Sequence, residues 1–378
     1  MVTQGFKMAA VAAGIKGTGA LDLALIHSDR AATAAAVFTQ NTFIAAPLVI
    51  SKKHLRETGH RVRAVLVNSG NANAATGEAG IQAALASAGA LADIIGCMPN
   101  EVLVCSTGVI GRSLPVEKIR AAIPNLVSGL RSTNLELLAR GIMTTDTVPK
   151  FAMAEMGGAH IAGVAKGAGM IHPDMATMLS FIVTDAEIPL SDLEEALRFA
   201  VQRSFNAISV DGDTSTNDMV VVLANGASGT RPASREFREK LLGICTQLAT
   251  AIVRDGEGAT KFVELTVEGA PSEEAAHRIG REISRSPLVK TAIYGADPNW
   301  GRIVSAIGNS GIPLESDRVD IYISGVPIGE NTLEDARQKL REKEIQIRVV
   351  LHSGSAAARV WTCDLTEGYI RINADYTS

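Results

Sequence analysis

KGAGMIHPDMATMLSFIVTDA, Lys166 to Ala186, holds two unlike halves. The first is polar and glycine-rich. The second is an apolar run with the length and composition of a buried strand. Thr177 stands at the junction, directly after Ala176, with Lys166, Gly167 and Gly169 upstream. A threonine hydroxyl is a poor nucleophile until a base sits beside it. One economical base is the residue's own α-amine, which titrates near ~7.7–8 when free. That amine exists only if the chain is cut between Ala176 and Thr177. The hydroxyl can make the cut by attacking the Ala176 carbonyl, an N-to-O acyl shift followed by hydrolysis. Small Ala176 and the two glycines allow the strained backbone this requires. On residue types alone, an ordinary strand threonine is the simpler reading.

Outward from this stretch, helix and strand patterns are both abundant. DLALIHS, AAAVFTQ and AAPLVIS read as strands, and VRAVLVNSGNANAATG as a strand running into a polar loop. EAGIQAALASAGALADIIG has apolar residues at helical spacing. EVLVCSTGVIG is strand then glycine loop; PVEKIRAAI and NLELLARGIM are helices. Downstream, SDLEEALRFAVQRSF carries a Ser191/Glu194 capping-box signature. MVVVLANG, KFVELTVEG, LVKTAIYG, RVDIYISG and IQIRVVLHSG read as strands. SREFREKLLGICTQLATAIVRDG, SEEAAHRIGREIS, WGRIVSAIGNSG and TLEDARQKLREKE read as helices, and the tail from Ala358 as one or two more strands. Many hairpin-length turns between strands predict α+β layers rather than a doubly wound parallel sheet. No repeat or linker divides the chain.

The totals exclude several functions. Net charge is −4 and aromatics are 4% of 378 residues, which leaves neither a polyanion footprint nor a base-stacking surface, so nucleic acid is not expected as a partner. Cys97, Cys105, Cys245 and Cys363 form no CxxC pair and the histidines are scattered, so no metal site is expected; the cysteines read as small buried hydrophobes. No leader is evident and no apolar run reaches the ~18 residues of a membrane span. The expectation is a cytoplasmic globular protein.

Other motifs are ambiguous singly. GTGALD (Gly17 to Asp22) and GAGMIH (Gly167 to His172) begin like dinucleotide fingerprints but lack the third glycine and a following helix, so tight turns fit better. DGDTSTND (Asp211 to Asp218) resembles a calcium loop but has Thr216 and Val222 where Gly and Glu belong. It reads instead as a hydrogen-bonded turn, a plausible wall of a polar site. Thr107 and Gly108 follow a buried strand, where a freed backbone N–H can serve an oxyanion, although a plain strand-end turn explains them as well. MTTDTVPK (Met143 to Lys150) could hold an ammonium or carboxylate, or cap a helix.

Taken in order, these segments carry more than each alone. KGAGMIHPDMATML closely resembles the signature of the ornithine acetyltransferase (glutamate N-acetyltransferase) family. VAAGIKGTGALDLALIHSDRAATAAAVFTQN, NSGNANAATG, STGVIG, MTTDTVPK, SFNAISVDGDTSTND, VRDGEGATKF, YGADPNWGRI and YIRINADYTS resemble the family too, in its order and over essentially the whole chain. The resemblance implies a self-cleaving precursor with fragments 1–176 and 177–378. It implies a layered α+β sandwich resembling the N-terminal-nucleophile hydrolases, with the two fragments interleaved and usually a heterotetramer. On it, Thr177 is the nucleophile, and Thr107 and Gly108 form the oxyanion hole. Thr144, Lys166, Thr177, Glu257, Asn373 and Ser378 bind substrate. The implied reaction moves acetyl from N2-acetylornithine to glutamate in arginine biosynthesis, ping-pong, with no cofactor. The residues do not decide whether acetyl-CoA is also a donor. Two alternatives stand beside this: an amidohydrolase or aminopeptidase of similar architecture that passes the acyl group to water, and a non-catalytic basic amino-acid binding protein.

Overall fold

The computed structural model describes residues 3–132, 134–172, 178–314 and 319–375; Ala176, Thr177 and Ser378 lie outside them. The chain runs β1 (Phe6–Val11), β2 (Leu23–Phe38), α1 (Ala46–Glu57), β3 (Arg61–Asn71), α2 (Gly77–Ile95), β4 (Val102–Val109), α3 (Val116–Ser128), β5 (Arg131–Ser132), α4 (Leu135–Ile142), β6 (Lys150–Met156) and β7 (Ala159–Lys166). It continues with β8 (Leu179–Thr184), α5 (Leu190–Gln202), β9 (Ile208–Ser209), β10 (Met219–Ala224), α6 (Ser234–Arg254), β11 (Phe262–Ala270), α7 (Glu273–Arg285), α8 (Pro287–Tyr294) and α9 (Trp300–Asn309). The last elements are β12 (Asp320–Ile323), β13 (Val326–Pro327), α10 (Leu333–Leu340), β14 (Glu344–Val350), β15 (Ala356–Cys363) and α11 (Glu367–Asp375).

Two mixed sheets result. The larger has the order β4–β3–β2–β10–β8–β7–β6, with β1 on β2 and β5 on β1. The smaller has the order β13–β12–β14–β11–β15–β9. β8 and β10 lie at the centre of the larger sheet and pair in parallel. Every residue of both is buried. Successive strand side chains point to opposite faces, and both faces are covered, so both must be apolar. Ile182 and Val222 pack with Leu193 and Leu197 of α5 and Ile244 and Leu248 of α6. Their alternates Phe181, Val183 and Val221 pack with Leu135 and Leu138 of α4. Helices α2 and α3 cover the β3–β4 end through Leu91, Ile119 and Ile123. In the smaller sheet, Leu265 and Ile347 pack under α7, α8 and α9. Trp361 and Cys363 of β15 join the core beneath α6 and so tie the sheets together.

The layered α+β expectation therefore holds, with strands from after residue 177 lodged between β2 and β7. Several local expectations are corrected. DLALIHS and AAAVFTQ are one strand, β2, whose pairing with β3 shifts register between His27 and Ala32. AAPLVIS opens helix α1: Pro47 sits in the first turn, where its missing N–H costs nothing, and Leu48, Ser51 and Leu55 are buried at helical spacing. LVKTAIYG is helix α8, begun by Ser286, whose side chain accepts from Val289 N, and by Pro287. The tail gives one strand, β15, and then α11, in which no residue is buried. The Ser191/Glu194 capping box is absent; Pro189 is the N-cap and Ser191 contacts Asp192 at 3.3 Å. Hairpin connections are fewer than expected, because β3–β4, β8–β10, β9–β15 and β11–β14 pair in parallel. Helix α2, at 19 residues, has the length and composition of a membrane span, contrary to expectation. It buries Ala84, Ala88, Leu91 and Ala92 against the protein. All four cysteines are free.

Candidate active site

The Thr107–Gly108 corner is set by strand geometry. β3 and β4 run in parallel until a bulge, where Asn71 pairs with both Thr107 and Val109. A bulge bends its strand and re-aims its side chains. Gly108 there has φ +131°, and a Cβ would come within 2.4 Å of the Gly70 carbonyl carbon and 2.5 Å of Asn71 N. No other residue fits both the conformation and the space. Thr107, which precedes it, is turned to receive the Lys166 ammonium on Oγ1 at 3.2 Å.

Asp146 fixes the loops that carry Thr144 and Lys166. Its carboxylate accepts from Thr144 N at 2.9 Å, Gly167 N at 2.7 Å and Lys150 Nζ at 2.7 Å. Burial alone would raise its pKa; Lys166, Lys150 and the Gly167 N–H outweigh burial and hold it below the usual value. Lys150, itself buried, reaches across to Asp255 at 2.5 Å. Asp255 in turn accepts from Thr147 N at 3.0 Å. Two residues on, Glu257 is tied by its N–H to Ala168 O at 2.9 Å. Its carboxylate lies over Gly169, where a Cβ would meet Oε2 at 2.3 Å. Asn373 of α11 donates to Glu257 Oε2 at 2.9 Å.

Each glycine turn is closed by an aspartate rather than shaped around a phosphate. Asp22 accepts from Ala13, Ile15 and Lys16 N–H at 2.5, 2.5 and 3.0 Å. Asp211 accepts from Met170 N at 2.6 Å and Ile171 N at 2.8 Å. Tyr369 O–H adds a third contact to Asp211 at 3.3 Å, docking α11. His172 is pinned as well. Arg281 Nη2 lies 2.9 Å from His172 Nε2, and a guanidinium can only donate, so Nδ1 carries the proton toward Ser209 Oγ at 3.0 Å. Burial, then Arg281 and Arg285, depress its pKa to about 3, keeping the ring neutral.

These constraints enclose a cavity of about 270 Å³. Thr107, Gly108, Thr144, Lys166, Glu257 and Asn373, expected from six separate segments, all line it. Met178, which follows Thr177 in the chain, also lines it, and with Leu179, Val109 and Ile110 supplies the apolar wall. Thr177, Ala176 and Ser378 are outside the described residues. The DGDTSTND segment contributes Ser215, Asn217 and Asp218, as its polar-wall reading anticipated. Burial lowers the pKa of Lys166, against the pull of Asp146, Asp218 and Glu257. Burial raises that of Asp218 well above the ordinary carboxylate value, against Lys166, Ser215 and Thr39. The sequence reading missed the Asp146–Lys150–Asp255 chain. Its only sign was an aspartate four residues before a lysine in a loop, a pattern met on most protein surfaces.

A polar, enclosed pocket with a hydroxyl, a glycine corner, one cation and two carboxylates suits acyl transfer between charged amino acids. The model of the ArgJ family matches residues 7–378. The chain belongs to the ArgJ family. It is 48% identical over 394 residues to the arginine biosynthesis bifunctional protein ArgJ of Geobacter sulfurreducens, covering all of both chains. The crystal structure of the arginine biosynthesis bifunctional protein ArgJ from Bacillus halodurans is similar, at 45% identity and TM-score 0.50, over 53% of this chain and 100% of that one. An ornithine acetyltransferase from Mycobacterium tuberculosis, solved in complex with ornithine, is 41% identical over 46% of this chain and 94% of its own, with TM-score 0.42.

Proposed function

We propose that the protein is a glutamate N-acetyltransferase of arginine biosynthesis that moves acetyl from N2-acetylornithine to glutamate, and that it also accepts acetyl-CoA as donor. The bifunctional ArgJ relative, similar over its whole length, supports this reading. The observation that carries it is the single cavity in which all six of the described site residues meet.

In this reading the chain cuts itself between Ala176 and Thr177, and fragments 1–176 and 177–378 remain together. The sheet order supports their staying together, because β8 and β10 lie hydrogen-bonded between β2 and β7. The solved Bacillus chain, matched over all of its length, spans the same share of this sequence that residues 177–378 occupy. Two of each fragment would form a heterotetramer.

Thr177 then attacks the acetyl carbonyl, with its own amine as base. The oxyanion rests on the Thr107 hydroxyl and the Gly108 N–H. Lys166 donates to Thr107 Oγ1, which leaves the hydroxyl hydrogen for the oxyanion and polarises it. The remaining donors of Lys166 suit the α-carboxylate shared by both substrates, and Glu257 suits an ammonium. Ornithine leaves, glutamate enters the same pocket, and its amine takes the acetyl group.

Intact mass under denaturing conditions, with and without Thr177→Ala, tests the reading. Two fragments in the wild type, one chain in the variant, and glutamate-dependent acetyl transfer only in the wild type are expected. Acetyl release to water regardless of glutamate would favour a hydrolase. An uncut chain that binds ornithine without turnover would favour a binding protein.

A further inference from the structure

Asp218 is an unexplained carboxylate in the cavity wall. It is 2% exposed, and its Oδ2 is fully buried with no hydrogen-bond partner among the described residues. Buried carboxylate oxygens are normally partnered, so an orphan facing a substrate cavity calls for a reason. The charged and polar groups around it are Lys166 at the end of β7, the Ser215 hydroxyl and N–H, and the Thr39 hydroxyl. Glu257 lines the same cavity. Its position is fixed: Asp218 O accepts from Thr39 N at 2.9 Å, and the next residue, Met219, donates to Met178 O at 3.1 Å. The head of β10 therefore runs beside the residue that follows Thr177 in the chain.

We propose that Asp218 is a catalytic residue that stores the proton exchanged between the two amino-acid substrates, its free oxygen meeting their α-nitrogen. This rests on the acetyl-transfer reading. The proton count requires such a store. Ornithine departs as an ammonium ion, whereas its nitrogen leaves the acetyl group as an amine. Glutamate arrives as an ammonium ion but must attack as an amine. In ping-pong order the proton needed by ornithine is spent before glutamate brings its own. Asp218 begins protonated. It gives the proton to the released ornithine amine as the amide C–N bond breaks and the Thr177 ester forms. It stands as a carboxylate in the acetyl-enzyme. It then takes a proton from the glutamate ammonium, the freed amine forms the new C–N bond, and the ester C–O bond breaks. The amine's second proton goes back through the Thr177 amine to the threonine oxygen. Protons and charge balance over the cycle with none drawn from solvent. Burial, which favours the neutral acid, suits the protonated resting state.

The experiment compares two acceptors on preformed acetyl-enzyme: glutamate, an ammonium ion at neutral pH, and hydroxylamine, which is uncharged there. For Asp218→Asn, the ratio of glutamate to hydroxylamine deacylation should fall about 100-fold or more at pH 7. Glutamate deacylation should then rise about tenfold per pH unit as free amine accumulates. An equal loss with both acceptors, or no change in the ratio, overturns the proposal. If the variant does not fold, the wild type still decides. Acetyl-enzyme mixed with glutamate in weak buffer with a pH indicator should release no proton. One proton released per acetyl transferred overturns the proposal. Wild-type enzyme that forms no acetyl-enzyme at all refutes the acetyl-transfer reading instead.

Discussion

Replacing Asp146 with asparagine removes one charge from the point where three loops meet. The aspartate accepts two bonds on Oδ1, from Lys150 and Gly167, and one on Oδ2, from Thr144. An asparagine has one acceptor oxygen. If that oxygen keeps Lys150 and Gly167, the new NH2 opposes the Thr144 N–H. If it turns, both other donors lose their partner. Each hydrogen bond to a charged group is worth roughly 1.5–3 kcal/mol. Lys150 retains Asp255, so the roughly 3–5 kcal/mol cost of stranding a buried charge is only partly reached. A loss of about 3 kcal/mol in urea unfolding is expected. Thr144 and Lys166 both loosen, and misplacement by ~1 Å costs on the order of 100-fold in rate. Because Asp146 raises the Lys166 pKa, its removal also moves the alkaline limit of kcat/KM to lower pH. The assays are urea unfolding and the pH profile of glutamate-dependent transfer. A stability loss below about 1 kcal/mol together with an unmoved alkaline limb would refute the reasoning.

Three further outcomes follow from the geometry. Thr107→Val removes an oxyanion donor and should lower kcat by about 100–1,000-fold, whereas Thr107→Ser, which keeps the hydroxyl, should stay within about tenfold; equal losses would remove Thr107 from the oxyanion site. Gly108→Ala, which forces a Cβ onto the Gly70 backbone, should abolish transfer and lower the unfolding midpoint; a stable, active variant would show that the β3–β4 bulge can relax. His172 has a folded pKa of about 3, below the ordinary 6.5, so its neutral form supports stability above pH 6.5 and that support is lost as pH falls toward 3. The slope is about 1.4 kcal/mol per pH unit, so the difference in unfolding free energy between wild type and His172→Gln should change by about 2 kcal/mol from pH 6.5 to pH 5; parallel curves would mean the ring does not titrate with unfolding.

Long periodic segments were legible because burial writes itself into them at helical spacing: α2, α5, α6 and α7 all fall where their patterns place them. Short apolar runs were not. AAPLVIS and LVKTAIYG are equally apolar as strand or helix, and only their context decides. In each a proline at the first helical turn, Pro47 and Pro287, was the overlooked sign. The alternation in YIRIN suggested a strand, but the segment forms an exposed helix held by Tyr369 on Asp211 and Asn373 on Glu257. The eye for capping failed at Ser191 because the chain turns two residues earlier.

The amino-acid sequence by itself determined the layered α+β class, the order of motifs and the candidate residues, because periodicity and residue chemistry are local properties. Tertiary structure alone decided that Thr107, Thr144, Lys166, Glu257 and Asn373 share one cavity, since each lies on a different loop and no spacing relates them. It alone exposed the Asp146–Lys150–Asp255 chain and the unpartnered Asp218 oxygen. Pairing is a property of neighbours in space, and an aspartate in a polar loop reads the same whether solvent, a lysine or an empty cavity stands opposite it.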